Sequence, residues 1–375
     1  MSEPRIFVSA GEASGDLHGA GVARALLDIY PGARLMGLAG PRMAAAGVNP
    51  VAEFQRLVVM GIAEVLAQLP FFIRLRREVR RLLDETHPDL VIPIDYPGFN
   101  LWLCEEAHRR RIPVLYYIAP QLWAWRPQRA RVLAEKADRV AVVFPHEEPF
   151  LRDFGVDAVF VGHPLLDTLD THESADEAQS ALGMDSQRPV LGLLPGSRPQ
   201  EVQRLLGPFI EAAEAVRKRE PGVQVVVSGA PHVPRDHYST AGDYPVVSDS
   251  GQVIRAATAV LTKSGTSTIE SSLFATPMVI AHRVHPLTYA LARRLVQVED
   301  VGMVNILAGR RVVPEFVQRL PPSAIADALA PLLVEDSEER VQMIEALGAI
   351  RCLLGEPGAA TRVARLAAEL LEAKD

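Results

Sequence analysis

The chain has 375 residues, 48% of them hydrophobic and 23% charged, with a formal net charge of -7. That length and composition exclude a disordered chain and make one core too small, so two domains are expected. The negative balance excludes a general nucleic-acid binder but leaves room for a local basic patch. The two cysteines, Cys104 and Cys352, have neither metal spacing nor a disulfide framework, which fits a reducing cytosol. The N-terminus lacks the apolar stretch of a signal peptide, and no window reaches the roughly 18 uninterrupted apolar residues of a membrane span.

In chain order, Arg5 to Ser9 reads as a strand, followed by a turn-rich loop from Ala10 to Asp16 and a helix from about Leu17 to Asp28. Arg34 to Leu38 is strand-like. Leu57 to Leu83 starts almost wholly apolar, is interrupted by Pro70 and continues as a basic helix. "PDLVIPID", Pro88 to Asp95, is too uniformly apolar for a strand with one wet face, so both faces are expected to be covered. A helix over Leu101 to Arg110 and strands in "IPVLYYIAP", "RVAVVF" and "AVFVGHP" follow. The polar, acidic stretch Leu169 to Arg188 breaks this rhythm and reads as a connection, with or without a short helix.

The pattern then restarts. Strands are expected in "PVLGLLPGS", "VQVVVSG", "YPVVSD", "AATAVLTKSG" and "PMVIAHR". Helices are expected over Glu201 to Lys218, from near Thr266, over Leu287 to Leu295, and over Asp336 to Leu354 and Ala359 to Glu372. Alternation of this kind predicts an α/β fold of two doubly wound, Rossmann-like domains facing a cleft. Ligands of such sheets sit outside the carboxyl ends of strands, so the loops after strands carry the functional reading.

In the second half, Gly196 permits a tight turn, Ser197 can donate or cap, and Arg198 can fork onto phosphate oxygens at a helix start. The plain alternative is a strand exit with a solvent-facing arginine. No Gly-Lys-Ser/Thr follows, so this is not a Walker loop. Ser264, Gly265, Thr266 and Ser267 form a second small-residue loop able to cradle phosphate. Glu270 either completes a capping box with Ser267 or accepts from ribose hydroxyls. Two such loops in one domain suggest a nucleoside diphosphate.

In the first half, "SAGEASGDLHGA" places Glu12, Ser14 and Asp16 after a strand without the G-x-G-x-x-G spacing. Its carboxylates would repel phosphate, so a sugar suits it better; a tight turn before a capped helix is the plain alternative. Asp95 lands at a strand exit, either as a base for a sugar hydroxyl or as a turn cap, and Asn100 is placed to cap the next helix. Trp123 and Trp125 stack on a ligand, close the cleft, or pack on a helix, and packing is expected for one of them. His163 at a strand exit bonds phosphate or a backbone carbonyl. No cluster has metal-site spacing, so neither a metal nor another cofactor is expected.

The apolar run Val58, Val59, Met60, Ile62, Val65, Leu66, Leu69, Phe71 and Phe72 leads into Arg74, Arg76, Arg77, Arg80 and Arg81. It suits an anionic membrane surface or an acylated, phosphate-bearing substrate. The plain alternative is a core helix beside a solvated one.

Together these pieces resemble the bacterial lipid-A-disaccharide synthase family, inverting glycosyltransferases of the two-domain GT-B type. "SAGEASGD", "DYPGFN", Ala119 to Arg126 "APQLWAWR", "VGHP", "LPGSR", "SGTSTIE" and "PEFVQ" occur in family order across nearly the whole chain. The resemblance implies transfer of 2,3-diacylglucosamine from UDP-2,3-diacylglucosamine to 2,3-diacylglucosamine 1-phosphate, giving the β-1,6-linked disaccharide 1-phosphate and UDP. It implies Asp95 as base, and Arg198 with the Ser264–Ser267 loop on the UDP phosphates. Glu270 falls on the ribose, and Asn305, Glu315 and Gln318 on nucleotide or sugar. Glu12, Ser14, His163, Trp123 and Trp125 fall on the sugar and acceptor side, and Val58 to Phe72 on the membrane and acyl chains.

The same resemblance implies a cytoplasmic protein on the inner face of the inner membrane of a Gram-negative bacterium, either a monomer or a homodimer, with or without exchange of C-terminal parts. Residues 1–168, completed by helices from about 345 to 375, form the acceptor domain. Residues 169–188 connect it to a UDP-sugar domain over 189–344. Two departures stand out. Gly98 occupies a place where many members carry a second carboxylate, and Ala119 replaces a serine. Rival readings are a UDP-N-acetylglucosamine 2-epimerase, a soluble-acceptor transferase, or a non-catalytic nucleotide-sugar or phospholipid binder.

Overall fold

The computed structural model describes residues 3–52, 69–125, 127–168, 173–231, 233–286, 289 and 300–373. The chain divides into two compact units, Met1–Thr168 with Leu354–Asp375, and Leu169–Leu353.

The first unit is built on seven strands: β1 Arg5–Ala10, β2 Arg34–Leu38, β3 Asn49–Pro50, β4 Leu90–Ile94, β5 Leu115–Tyr117, β6 Arg139–Val142 and β7 Ala158–Phe160. They lie in the order β3-β2-β1-β4-β5-β6-β7. All neighbours are parallel. The order reverses between β1 and β4, which opens a crevice at their carboxyl ends. Every residue of β4 is buried, as its unbroken apolar run requires of a strand covered on both faces.

Helices supply that cover. On Leu69–Thr86, Leu75, Val79 and Leu83 recur every four residues and are buried in the first unit's core. Each such side chain contributes about 1.5–3 kcal/mol of transfer free energy. The arginines of this helix divide in two. Arg80 is spent on the buried carboxylate of Glu106 at 2.9 Å, and Arg81 on Glu78 at 2.7 Å. Arg76 lies over the Trp102 ring, 4.9 Å from its centroid. The expected five-arginine patch is therefore reduced by two internal ion pairs.

Two helix starts differ from expectation. The first helix spans Ala13–Ile29, not Leu17 onward, so Gly15, expected in the loop, is a helical residue packed against Ala10. A β-carbon on Gly19 would lie 2.6 Å from Met43 Sδ. Asp16, expected in a loop, is buried on this helix and accepts from the N–H groups of Arg42 and Met43, both at 3.0 Å, capping the short helix Pro41–Ala45. The helix after β4 spans Pro97–Arg109 and not Leu101 onward.

The chain re-enters the first unit at its end. The helix Ala359–Glu372 packs on Ala13–Ile29. Asp167 accepts from the N–H groups of Gly358, Ala359 and Ala360, and Arg362 Nε donates to Val161 O at 2.7 Å.

The second unit holds β8 Val190–Leu194, β9 Gln224–Ser228, β10 Val246–Val247, β11 Ala259–Lys263, β12 Met278–His282 and β13 Glu315–Val317. They lie in the parallel order β10-β9-β8-β11-β12-β13, reversing between β8 and β11. Strand β13 is too short to stand out in the sequence. Within Leu169 to Arg188, Ala175–Ala181 is helical with a Ser174–Glu177 capping box, and Gln179 Nε2 donates to Ala256 O at 2.8 Å.

The expected helix Leu287 to Leu295, apart from Tyr289, lies outside the described residues. So do Val58, Val59, Met60, Ile62, Val65 and Leu66, and the side chains of Leu69 and Trp125. No described helix is long and apolar enough to cross a membrane.

Candidate functional site

In the first unit, the exits of β4 and β5 hold three non-glycine residues in the left-handed region: Asp95 (φ 46°), Tyr96 (φ 51°) and Ile118 (φ 60°). Such backbone costs of order 1–3 kcal/mol per residue and persists only where the surroundings hold it. They do so here. Asp95 N–H donates to Tyr117 O at 2.9 Å. Its carbonyl accepts from Asn100 Nδ2 at 2.7 Å and from the Tyr116 hydroxyl at 2.8 Å. Asn100 also donates to Ile94 O and accepts from Ser9 Oγ at 2.6 Å. It therefore joins β1, β4 and the Asp95 turn, and does not cap the helix as expected, since it sits inside the first turn.

Tyr96 lies across Gly11, where any β-carbon would meet the ring at 2.3 Å. Glu12 and Ser14 stand beside it, half-buried at the start of the Ala13–Ile29 helix.

Asp95 lines a cavity of about 450 Å³ with Gly98, Ile118, Gln121, Arg129 and Glu147. Glu147 is a residue the sequence reading missed. It is 2% exposed, and its carboxyl accepts from Phe144 N–H at 3.2 Å and Trp123 Nε1 at 3.4 Å. Burial, aided by the charge of Asp95, pushes its pKa up to about 7. Trp123 sets its indole edge-on to His146 at 4.7 Å, which is the packing reading expected for one of the two tryptophans. His163 is buried, and its Nδ1 accepts from Leu165 N–H at 3.3 Å. Burial, with His18 nearby, lowers its pKa to about 3, so the ring is neutral.

In the second unit the two small-residue loops follow β8 and β11. Gly196 has φ 119°, and the turn it makes wraps around Glu201, whose Oε2 accepts from Ser197 N–H at 3.1 Å. Ser197 does not cap the helix Pro199–Arg219; Arg198 occupies the N-cap position without a side-chain cap bond. Glu201 Oε1 meets Arg198 at 3.4 Å and Lys263 Nζ at 3.1 Å.

Around the second loop, the helix Thr266–Leu273 starts from Gly265, so Ser267 and Glu270 form no capping box. Ser267 Oγ instead bonds Thr262 Oγ1 at 2.7 Å. Ser264 Oγ donates to Val301 O at 2.6 Å. Glu270 is left with a weak contact to Ser250 Oγ at 3.5 Å, and burial, with Asp249 nearby, raises its pKa to about 7.

Glu315 is linked to this loop through Val301, which Ser264 also meets, and Asn305 bonds Glu315. Glu315 accepts from Val301 N–H, Gly302 N–H and Asn305 Nδ2 at 2.7–2.9 Å. Asn305 is 1% exposed and also brackets Val312 and Val313. Gln318 joins Val284 through both ends of its amide. Among the described residues, no three His, Cys, Asp or Glu side chains gather as a metal-binding group.

Residues 6–353 match the family described as lipid-A-disaccharide synthetase. The chain belongs to that family. It is 40% identical over 382 residues to the lipid-A-disaccharide synthase of Geobacter sulfurreducens, covering 98% of this chain and 97% of that one. It is 38% identical over 375 residues to the synthase of Myxococcus xanthus, covering 98% of each. Among solved structures it resembles a putative UDP-N-acetylglucosamine 2-epimerase from Listeria monocytogenes (TM-score 0.68, 12% identity, 100% and 98% of the two chains). It also resembles the calicheamicin glycosyltransferase CalG4 (TM-score 0.61, 17% identity, 100% of both chains). These likenesses show the fold, and its two Rossmann-like lobes are of the GT-B type.

For a lipid-A-disaccharide synthetase family member, the expected residues fall into two sets that the sheets bring together separately. Asp95, Glu12 and Ser14 lie at the carboxyl edge of the first sheet, and Arg198, the Ser264–Ser267 loop and Gln318 follow β8, β11 and β13 in the second, whereas Glu315 opens β13 and Asn305 lies on the helix Met303–Ala308 before it. The missed polar residues follow known elements. Glu147 comes shortly after β6, Glu201 lies three residues past Arg198, and Lys263 ends β11.

Proposed function

We infer that the chain is a metal-independent, inverting glycosyltransferase that carries out the lipid-A-disaccharide synthase reaction. It transfers 2,3-diacylglucosamine from its UDP carrier to 2,3-diacylglucosamine 1-phosphate. The observation that carries this is 40% identity to a lipid-A-disaccharide synthase over nearly the full length of both chains.

In the step itself, the 6-hydroxyl oxygen of the acceptor attacks the donor's anomeric carbon. The bond from that carbon to the β-phosphate oxygen breaks, and UDP leaves. The hydroxyl proton passes to Asp95, whose turn is pinned by Asn100 and Tyr116. Attack opposite the leaving group turns the α link into a β link, as in inverting carbohydrate chemistry generally. Arg198 and the turn at Ser264–Ser267 take up the charge that develops on the leaving diphosphate, and Glu270 holds the ribose. On this reading residues 1–168, with the C-terminal helix, take the acceptor, and the second unit takes the UDP-sugar.

Lipid A precursors are acylated, so the protein works at a membrane surface. Phe71 and Phe72, with Arg74, Arg76 and Arg77, supply an apolar and basic contact to the cytoplasmic face of the inner membrane. The test is UDP release from UDP-2,3-diacylglucosamine in detergent micelles, with and without the acylated 1-phosphate acceptor. Acceptor-dependent release with a disaccharide product by mass is expected. UDP-sugar binding without joining of these two lipids would overturn the assignment.

A further inference from the structure

Arg198 alone does not make the second unit's loops cationic, because Glu201 lies against it at 3.4 Å. The balance is tipped by Lys263, which shares the same carboxylate oxygen at 3.1 Å. Two cations and one carboxylate leave this group with one net positive charge. Without Lys263 it would have none.

The placement is equally specific. Lys263 ends β11, immediately before the Ser264–Ser267 turn, and its ammonium lies 3.2 Å from where a β-carbon on Gly265 would sit. It therefore stands over the start of the Thr266–Leu273 helix, whose exposed N–H groups favour the same anion. Glu201 lies in the first turn of the helix Pro199–Arg219, and Gly196 and Ser197 N–H of the preceding loop close around it. Its carboxylate thus bridges the β8 and β11 exits. Burial pushes its pKa upward, but Lys263, Arg198 and Ser197 N–H outweigh burial and hold it ionised. His282, close by at the end of β12, is kept neutral chiefly by burial, so it does not add to the positive charge. An ammonium has three donors, so engagement with one carboxylate oxygen leaves capacity for a phosphate.

We propose that Lys263 is a second cationic contact for the donor's diphosphate, and that Glu201 positions it by tying the two loops together. This rests on the reading of the second unit as the UDP-sugar site. Arg198 approaches the diphosphate from the β8 side and Lys263 from the β11 side.

The experiment is calorimetric titration of the full chain with UDP, UMP and uridine. It compares wild type with Lys263→Met, Lys263→Arg, Glu201→Gln and the double variant Lys263→Met/Glu201→Gln. Loss of a charged contact should weaken UDP about tenfold or more in Lys263→Met. Uridine binding should stay unchanged, and Lys263→Arg should recover most of the loss. Positioning by Glu201 requires the Lys263→Met penalty to shrink in the Glu201→Gln background, which a purely structural glutamate would not cause. The double variant removes both members of the half-buried Lys263–Glu201 pair together, so neither is left without the other.

UDP affinity within twofold of wild type in Lys263→Met would overturn the Lys263 contact and leave the site reading standing. Equal Lys263→Met penalties in both backgrounds would overturn the positioning role of Glu201. A wild type that does not bind UDP would remove the site reading, and this inference with it.

Discussion

The side-chain amide of Asn100 donates to the main-chain carbonyl of Asp95 at 2.7 Å. One buried amide thereby fixes the strained strand exit of the proposed base, while its other contacts reach Ser9 and Ile94. Asn100→Ala leaves these buried carbonyls and the Ser9 hydroxyl short of partners. It should cost about 2–4 kcal/mol of stability. Turnover of the folded fraction should drop by about tenfold or more, because Asp95 loses its orientation. Urea denaturation and activity per folded molecule measure the two effects. A stability change under about 0.5 kcal/mol would mean that Asn100 does not hold the turn.

Asp95→Asn keeps the main-chain bonds to Asn100, Tyr116 and Tyr117, so the fold should survive. As the proposed general base, its loss should lower kcat by about 10²–10⁴-fold. UDP affinity should stay within about twofold, because the residues proposed to bind its phosphates belong to the other unit. Turnover above a tenth of the wild-type rate would remove Asp95 from that role.

Glu147 has a raised pKa in the folded protein, about 7 against an ordinary 4.5. Between these values the folded state binds more protons than the unfolded one, so stability falls as pH rises through this window. Glu147→Gln abolishes that slope. Its stability relative to wild type should improve by about 1–3 kcal/mol from pH 4.5 to pH 8. Chemical denaturation at the two pH values decides it, and a constant difference would show that Glu147 does not titrate there.

Gly98 has nothing within 4 Å of the position a β-carbon would take, and it lies in the first turn of the Pro97–Arg109 helix. Gly98→Ala should therefore raise stability by about 0.5–1 kcal/mol through helix propensity and reduced unfolded-state entropy. Gly98→Asp should also fold, because the same space is open to its side chain. A lowered melting temperature for Gly98→Ala would reveal a steric demand at this position.

What the sequence determined by itself is the alternation of apolar strands with amphipathic helices, and hence two parallel sheets. "LVIPI" could only be a strand covered on both faces, and the spacing of Leu75, Val79 and Leu83 could only bury one helical stripe. Family-ordered motifs such as "DYPGFN" and "SGTSTIE" also placed Asp95 and Ser264 at strand exits, because these follow directly from where a hydrophobic run stops.

The tertiary structure decided which polar atoms remain for a ligand. Gly15 fell within the expected loop, but it lies on the first helix with Ala10 packed against it. Ser197 N–H meets the Glu201 carboxylate, and burial leaves His163 Nδ1 accepting from Leu165 N–H. Glu147 joined Asp95 in one cavity because β4, β5 and β6 lie side by side. Periodicity reports which face of an element is buried. Partners distant in sequence are set by strand order and register, and these fix where each hydrogen bond goes.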